Sequence, residues 1–382
     1  MKSFIAICLL FLLTLPAWGQ GMVEKEVTLQ FKDAQGRKVT LAGTFTTPAG
    51  KAPKGGWPAV VFVTGSGPEN RDEEVFGFKP FQVIAHRLAQ DGVASLRCDD
   101  RGVGGSTGVF DDVTPYDLAA DVSRQWTWLR GRRHINANKV GLIGHSEGGL
   151  LALMAAADQP KVACVLMLAG PGNTMRKTLM DQNQAIFSLR GVPDSLVARR
   201  LAFMQDVFHA VDSIGALRAA HPADSIPLVK EFNLTFRQLV KHHNADLTKE
   251  QKQLVGLTGP ECYSWAMIMA QPYMMSILNL DPADYIVRLH CRLGAYNGSL
   301  DCQVDADSNL NRIKLVCKEN GIPFVVNFIK QHNHLFQKCE TGAVEEYERL
   351  GQAPSEQVLE YISHFIQTEL SVDKDSSLTA DK

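Results

Sequence analysis

The sequence has no block of basic residues, no internal repeat, no low-complexity stretch and no cysteine pair at C-x-x-C spacing. Each absence removes a class of function. Lys+Arg number 39 against Asp+Glu 41, for a formal net charge of -2, so no electrostatic footprint exists for nucleic acid or acidic membrane. A small neutral substrate suits this balance better. None of the cysteines has metal-finger spacing, which argues against a structural zinc site. No phosphate loop is present either, because Gly144 to Gly148 lacks the Lys-Ser/Thr that would follow.

The apolar run nearest the start, Phe4 to Leu15, is too short and wrongly flanked for a spanning helix. With Lys2 before it and Ala17-Trp18-Gly19 after it, residues 1–19 read as a secretory signal. The expectation is a periplasmic or secreted protein, with a mature chain from about Gln20 and no stable membrane insertion. Seven cysteines then remain, at 98, 164, 262, 291, 302, 317 and 339, so at least one thiol is unpaired. Cys98 and Cys164 lie in apolar strand-like runs and read as buried thiols. Cys302 and Cys339 fall in segments expected to converge, which makes them the candidate disulfide.

What the chain does have is a regular alternation of strand and helix patterns, on an ordinary globular composition of 45% hydrophobic and 21% charged residues. Val27, Leu29 and Phe31, then Val39 and Leu41, alternate with polar neighbours around Asp33-Ala34-Gln35-Gly36, predicting a hairpin over about 25–47. Pro58 to Val63, Val93 to Leu96, Val140 to Ile143 and Val162 to Leu168 are continuous apolar runs, the pattern of strands buried on both faces. Helical spacing separates them: Phe81, Ile84 and Leu88, then Leu118, Val122, Trp126 and Leu129. The fold class is therefore α/β, a mostly parallel central sheet with helices on both faces, in which ligands bind at the carboxyl ends of the strands.

From 173 to 282 the strand rhythm stops, and a helical cap insertion is expected, with Thr248 and Gln251 spaced as a capping box. Its Met-rich part, Trp265 to Leu280, reads either as the lining of an acyl pocket or as core between cap and sheet. The sheet resumes from 283, with His290 to Tyr296 and Phe324 to Ile329 as strands and Ser355 to Leu370 as a closing helix. The core would thus comprise 20–172 and 283–370, with a frayed tail over 371–382.

The chemistry centres on Gly144-His145-Ser146-Glu147-Gly148, placed between an apolar strand and the helix-like run from Gly149 to Met154. G-x-S-x-G in that setting is a nucleophile elbow: a serine on a strained turn, above a helix N-terminus whose free amides favour an oxyanion. A serine hydroxyl needs a base within hydrogen-bond reach and an acid to orient that base. In the elbow's order of Ser, acid, His, Asp301 and His334 each follow a predicted strand and open at the same sheet edge. His332 rivals His334, and Asp305 and Asp307 rival Asp301, although those two aspartates read as helix N-terminal residues. Oxyanion donors are expected from the backbone of Glu147 and of Ser66 or Gly67. His145 is read as packing beneath the elbow, and Asp100 with Arg101 as a structural pair.

These residues resemble the alpha/beta-hydrolase superfamily, and within it the exported bacterial esterase-like group described as serine aminopeptidase S33-like. The resemblance rests on Thr64-Gly65-Ser66-Gly67-Pro68 with Arg71-Asp72-Glu73, on Asp100-Arg101-Gly102 with Gly104 and Ser106, and on Gly144 to Gly149. It continues through Asn297-Gly298 with Asp301, Gln303 and Val304, and through Asn333-His334-Leu335-Phe336 with Gly342 and Tyr347. It implies Ser146 as nucleophile, His334 as general base and Asp301 as its orienting acid, with no cofactor and no metal. Cys302 and the cap depart from the pattern. The expected activity is hydrolysis of a small carboxylic ester through an acyl-enzyme. The alternatives are an aminopeptidase or amidase acting on short peptides, for which Glu261 is the candidate to hold the substrate amine, and a non-catalytic binding module.

Overall fold

Strand residues that alternate between the two faces of one sheet explain why the apolar runs are continuous. In the computed structural model, which describes residues 21–110, 113–220, 225–269 and 271–371, these runs form a single eight-stranded sheet. The expected signal segment and the tail beyond Ser371 lie outside the described residues. The strands are β1 (Met22–Lys32), β2 (Lys38–Pro48), β3 (Trp57–Val63), β4 (Ala94–Cys98), β5 (Ile135–His145), β6 (Cys164–Leu168), β7 (Arg292–Gly298) and β8 (Phe324–Ile329). Their order is β1-β2-β4-β3-β5-β6-β7-β8. The β1–β2 and β2–β4 pairings are antiparallel, and all pairings from β4–β3 to β7–β8 are parallel.

Helices cover both faces, which bears out the α/β expectation. On one side α1 (Pro80–Gln90) and α12 (Glu356–Ser371) bring Phe81, Ile84, Leu88, Ile362 and Phe365 against Val60, Phe62, Ile143 and Leu166. On the other, α2 (Pro115–Arg130), α3 (Glu147–Ala157) and α11 (Ala306–Glu319) pack Trp126, Leu151 and Ile313 on Val61, Leu142 and Val165. Neighbouring strand positions such as Val60 and Val61 are both fully buried, one in each layer. At roughly 25 cal/mol per Å² of apolar surface, this two-sided burial is the main stabilising contribution.

Between β6 and β7 the described residues form seven helices: α4 (Met175–Leu189), α5 (Asp194–Ala220), α6 (Ser225–Asn244), α7 (Lys249–Leu254), α8 (Gly259–Met269), α9 (Pro272–Ile277) and α10 (Ala283–Ile286). Thr248 and Gln251 form the expected reciprocal capping box at α7. These helices bury a core of their own, including Val197, Phe203, Phe208, Phe236 and Leu257. The stretch from Trp265 to Leu280 divides between two cores. Trp265 packs on Phe203 and Phe208 under the Arg200 guanidinium, which lies 4.9 Å from its ring. Tyr273, Ile277 and Leu280 join the sheet core, while Met267 and Ile268 are exposed. Core packing thus accounts for Trp265, Tyr273, Ile277 and Leu280 and leaves Met267 and Ile268 outside it.

Candidate active site

Ser146 follows β5 and precedes α3 with φ 53° and ψ -125°, in a region that side chains with a Cβ seldom occupy. The flanking glycines make this turn possible by absence of bulk. A Cβ on Gly144 would lie 2.1 Å from the Gly148 carbonyl oxygen, and one on Gly148 would lie 2.1 Å from the Val63 oxygen. The Ser146 amide donates to Leu168 O at 2.8 Å, which anchors the turn to β6. Strand, tight turn and helix therefore project Ser146 from the carboxyl edge of the sheet, with the N-terminus of α3 behind it.

Asp301 and His334 meet across the loops that follow β7 and β8. His334 Nδ1 lies 2.7 Å from Asp301 Oδ2, and both side chains are buried. Asp301 Oδ1 accepts from the amides of Gln303 (2.8 Å) and Val304 (2.9 Å), so the carboxylate cannot rotate away. A carboxylate partner on Nδ1 assigns the proton to that nitrogen and leaves Nε2 with its lone pair. The histidine loop is itself braced. Asn333, fully buried, accepts from the Leu335 and Gln337 amides through Oδ1 and donates to Gln337 Oε1 at 3.0 Å. Leu335 and Phe336, the pair that follows His334, are buried and pack the loop down.

A further layer was not legible as chemistry. His145 places Nδ1 3.0 Å from Glu73 Oε1 and Nε2 2.9 Å from the backbone oxygen of His334, with the two imidazole centroids 4.7 Å apart. Both partners are acceptors, so the ring must donate twice, as an imidazolium. Burial pushes its pKa down, but the charge and hydrogen bond of Glu73 outweigh burial and push it up to about 9. Glu73 Oε1 also accepts from the Gly65 amide at 2.8 Å. One carboxylate thus joins the loop after β3, the elbow strand and the histidine loop. Its sequence trace was Glu73 in the Arg71-Asp72-Glu73 stretch, read as part of a motif and not as a partner of His145.

That loop lies against the nucleophile: a Cβ on Gly65 would be 3.5 Å from Ser146 Cβ. Since Gly65 already donates to Glu73, the amides left at this position are those of Ser66 and Gly67, which have no protein acceptor among the described residues. Gly67 takes φ +97°, a conformation that favours glycine. The Glu147 amide is at the first position of α3. Asp100 holds the loop from the opposite side, accepting from Thr64 Oγ1 at 2.9 Å and from the Glu69 amide at 3.0 Å.

The rivals separate by their partners. His332 has both nitrogens occupied, by Lys330 O at 2.7 Å and Ser355 Oγ at 2.8 Å. Asp305 is the N-cap of α11, accepting from the Ser308 amide at 2.7 Å, and Asp307 lies in that helix's first turn. Asp100 and Arg101 are not a pair. Arg101 instead reaches Asp121 at 2.6 and 2.9 Å, because the side chains of successive residues leave the loop in opposite directions. Glu261 accepts from the Thr258 amide at 3.2 Å and bonds the Thr258 hydroxyl, so it caps α8. Cys302 and Cys339 are not bridged: both are free buried thiols, and Cys302 Sγ donates to Gly342 O at 3.2 Å. His243 pairs with Asp206 at 2.8 Å, and no cluster of metal-ligating side chains occurs among the described residues. No helix of the described residues is long and apolar enough to cross a membrane.

An elbow serine after the central strand β5, with acid and histidine on the loops that follow β7 and β8 beyond β6, is the arrangement of the alpha/beta-hydrolase fold. The chain has the alpha/beta-hydrolase fold. Residues 36–224 match the model of a family described as X-Pro dipeptidyl-peptidase (S15 family). Esterase EstD of Thermotoga maritima is 30% identical over 149 residues, which are 39% of this chain and 35% of that one. The chain therefore spans about a third of that relative. Among solved structures, the hypothetical protein PA2218 from Pseudomonas aeruginosa superposes with TM-score 0.53 at 16% identity, covering 92% of this chain and 95% of that one. The alpha/beta hydrolase GrgF from Penicillium sp. sh18 does so with TM-score 0.51 at 15% identity, covering 91% and 100%. At such identities the likeness is one of fold.

Proposed function

We propose that this protein is an exported serine hydrolase that cleaves small carboxylic esters through an acyl-enzyme on Ser146. The observation that carries the reading is the 2.7 Å bond between His334 Nδ1 and Asp301 Oδ2, on loops that open at the same sheet edge as the strained elbow serine. In this reading His334 Nε2 takes the Ser146 proton as Oγ attacks the ester carbon. The oxyanion settles on the amides of Glu147 and of Ser66 or Gly67. His334 then returns the proton to the leaving alkoxide, and a water activated by the same nitrogen releases the acid. All of these steps use this chain's own groups, with no cofactor. The seven helices between β6 and β7 act as the cap that sets which acyl and alcohol groups enter.

The test is turnover of p-nitrophenyl esters from acetate to laurate by the mature protein. Ser146→Ala is expected to lower kcat by about a thousandfold or more. Full turnover in that variant would remove the assignment. A second reading, peptide hydrolysis, draws support from the S15 family match over 36–224. Release of amino acids or dipeptides from short peptides, without ester turnover, would favour it.

A further inference from the structure

The elbow residue after the nucleophile has a side chain that the reaction scheme does not use. Glu147 is 4% exposed, although it is the only ionisable side chain of α3 and stands at the edge of the site. Its Oε2 accepts from the hydroxyl of Ser66 at 2.7 Å, and its Oε1 is buried without a hydrogen-bond partner. A buried polar atom left unpaired is costly, so a carboxyl retained here calls for a reason. The reason lies in what the bond connects. Ser66 belongs to the loop after β3 and Glu147 to the first turn of α3. These are the two segments whose amides are assigned to the oxyanion.

We infer that Ser66 and Glu147 are positioning residues, whose side chains clasp the two halves of the oxyanion hole so that their backbone amides converge on one point. The inference rests on the hydrolase reading of Ser146 and deepens it. Neither side chain donates to the oxyanion; each acts through the backbone that it holds. The separation of those amides decides how well both reach a single oxygen, and such donors count only at hydrogen-bond distance. Exposed Ser66 has no other side-chain restraint among the described residues, whereas Gly65 before it is held by Glu73. Without the clasp the loop is pinned on one side only.

The neutral form of Glu147 suits this task. Burial pushes its carboxyl up to about 7, while the Ser66 hydrogen bond acts the other way. No charged side chain acts on it among the described residues. Ionisation would set an unsolvated negative charge beside the developing oxyanion, so turnover should decline as pH rises through this range.

The experiment compares Ser66→Ala, Glu147→Ala, Glu147→Gln and the double alanine variant in ester turnover, in fluorophosphonate labelling of Ser146 and in thermal melts, with Ser146→Ala alongside. Each single alanine change is expected to lower kcat and the labelling rate by about 10- to 100-fold with KM within about twofold, as for loss of oxyanion donors. The double variant should be no worse than the poorer single one, because both changes break one bond. Glu147→Gln keeps an acceptor for Ser66 and should stay within about threefold of the parent, without the decline above pH 7. Should Glu147→Ala fail to fold, Ser66→Ala and Glu147→Gln still decide. Parent kcat in Ser66→Ala, a change confined to KM, or independent losses that multiply in the double variant would each overturn the clasp while leaving Ser146 as nucleophile. Turnover in Ser146→Ala would instead overturn the hydrolase reading, and the clasp with it.

Discussion

Asp301 uses its two oxygens differently: Oδ1 holds the Gln303 and Val304 amides and Oδ2 holds His334. Asp301→Asn retains the first function and reverses the second, since an amide NH2 facing Nδ1 selects the opposite tautomer. Its kcat should fall by about 10⁴-fold with the melting temperature little changed, measured by ester kinetics beside calorimetry. His145 calls for a different measurement. Its imidazole, ordinarily at 6.5, is pushed up to about 9 when folded, so the folded chain holds a proton there that the unfolded chain releases. The stabilisation is complete below 6.5 and is lost as pH rises through 9. The buried acids Asp100 and Glu147, each pushed up to about 7, give up their share below and around that pH, so the part of the drop between about 7 and 9 belongs to His145. The melting temperature should therefore drop between pH 6.5 and 9, and His145→Gln should lack the part above about 7. At pH 6 this variant should be less stable by about 3 kcal/mol, because Glu73 is left buried without its partner.

At the scale of elements, the elbow is a crossing of β3, β5 and α3 at distances that exclude a side chain. Gly148→Ala would set a Cβ 2.1 Å from Val63 O, against backbone that cannot give way. It should destabilise the protein by about 4 kcal/mol or more in denaturant titration. Gly259→Ala at the start of α8, where a Cβ meets nothing within 4 Å, should lie within about 1 kcal/mol of the parent. Most of the elements were legible because buried parallel strands and amphipathic helices leave different periods in the sequence. Even so, β5 begins at Ile135, five residues before its apolar run, where Ile135 pairs with Trp57 and an irregularity separates it from the regular pairing that starts at Val140. The short 3₁₀ helix Val344–Arg349 was not anticipated, and it seats Tyr347 beside Leu335 under the histidine loop. Its pattern is local and polar, and only its packing partner gives it meaning.

For the whole molecule, the proposal of export and the state of the cysteines are tested by one mass spectrum of the secreted protein. The intact mass should begin near Gln20, and alkylation should add nothing to the folded chain because all seven thiols are buried. Alkylation after unfolding should add seven groups without any reductant. Retention of Met1 would remove the signal reading, and five groups in place of seven would indicate a bridge. Burial pushes the Cys302 and Cys339 thiols up to about 11, which suppresses the thiolate that oxidation requires.

By itself the sequence determined the alternation of strands and helices, the elbow around Ser146 and the order in which acid and histidine follow it. Those properties are written in local periods and in glycines at fixed spacing. The sequence favoured His334 and Asp301 over their rivals, and only the tertiary structure showed the partners that separate them, with His332 held by Ser355 and His334 meeting Asp301. It alone brought Glu73 to His145 across 72 positions and Ser66 to Glu147 across 81. A hydrogen bond between residues so far apart leaves no periodic trace in the chain. It exists because parallel strands, joined by crossovers, align their carboxyl ends at one edge.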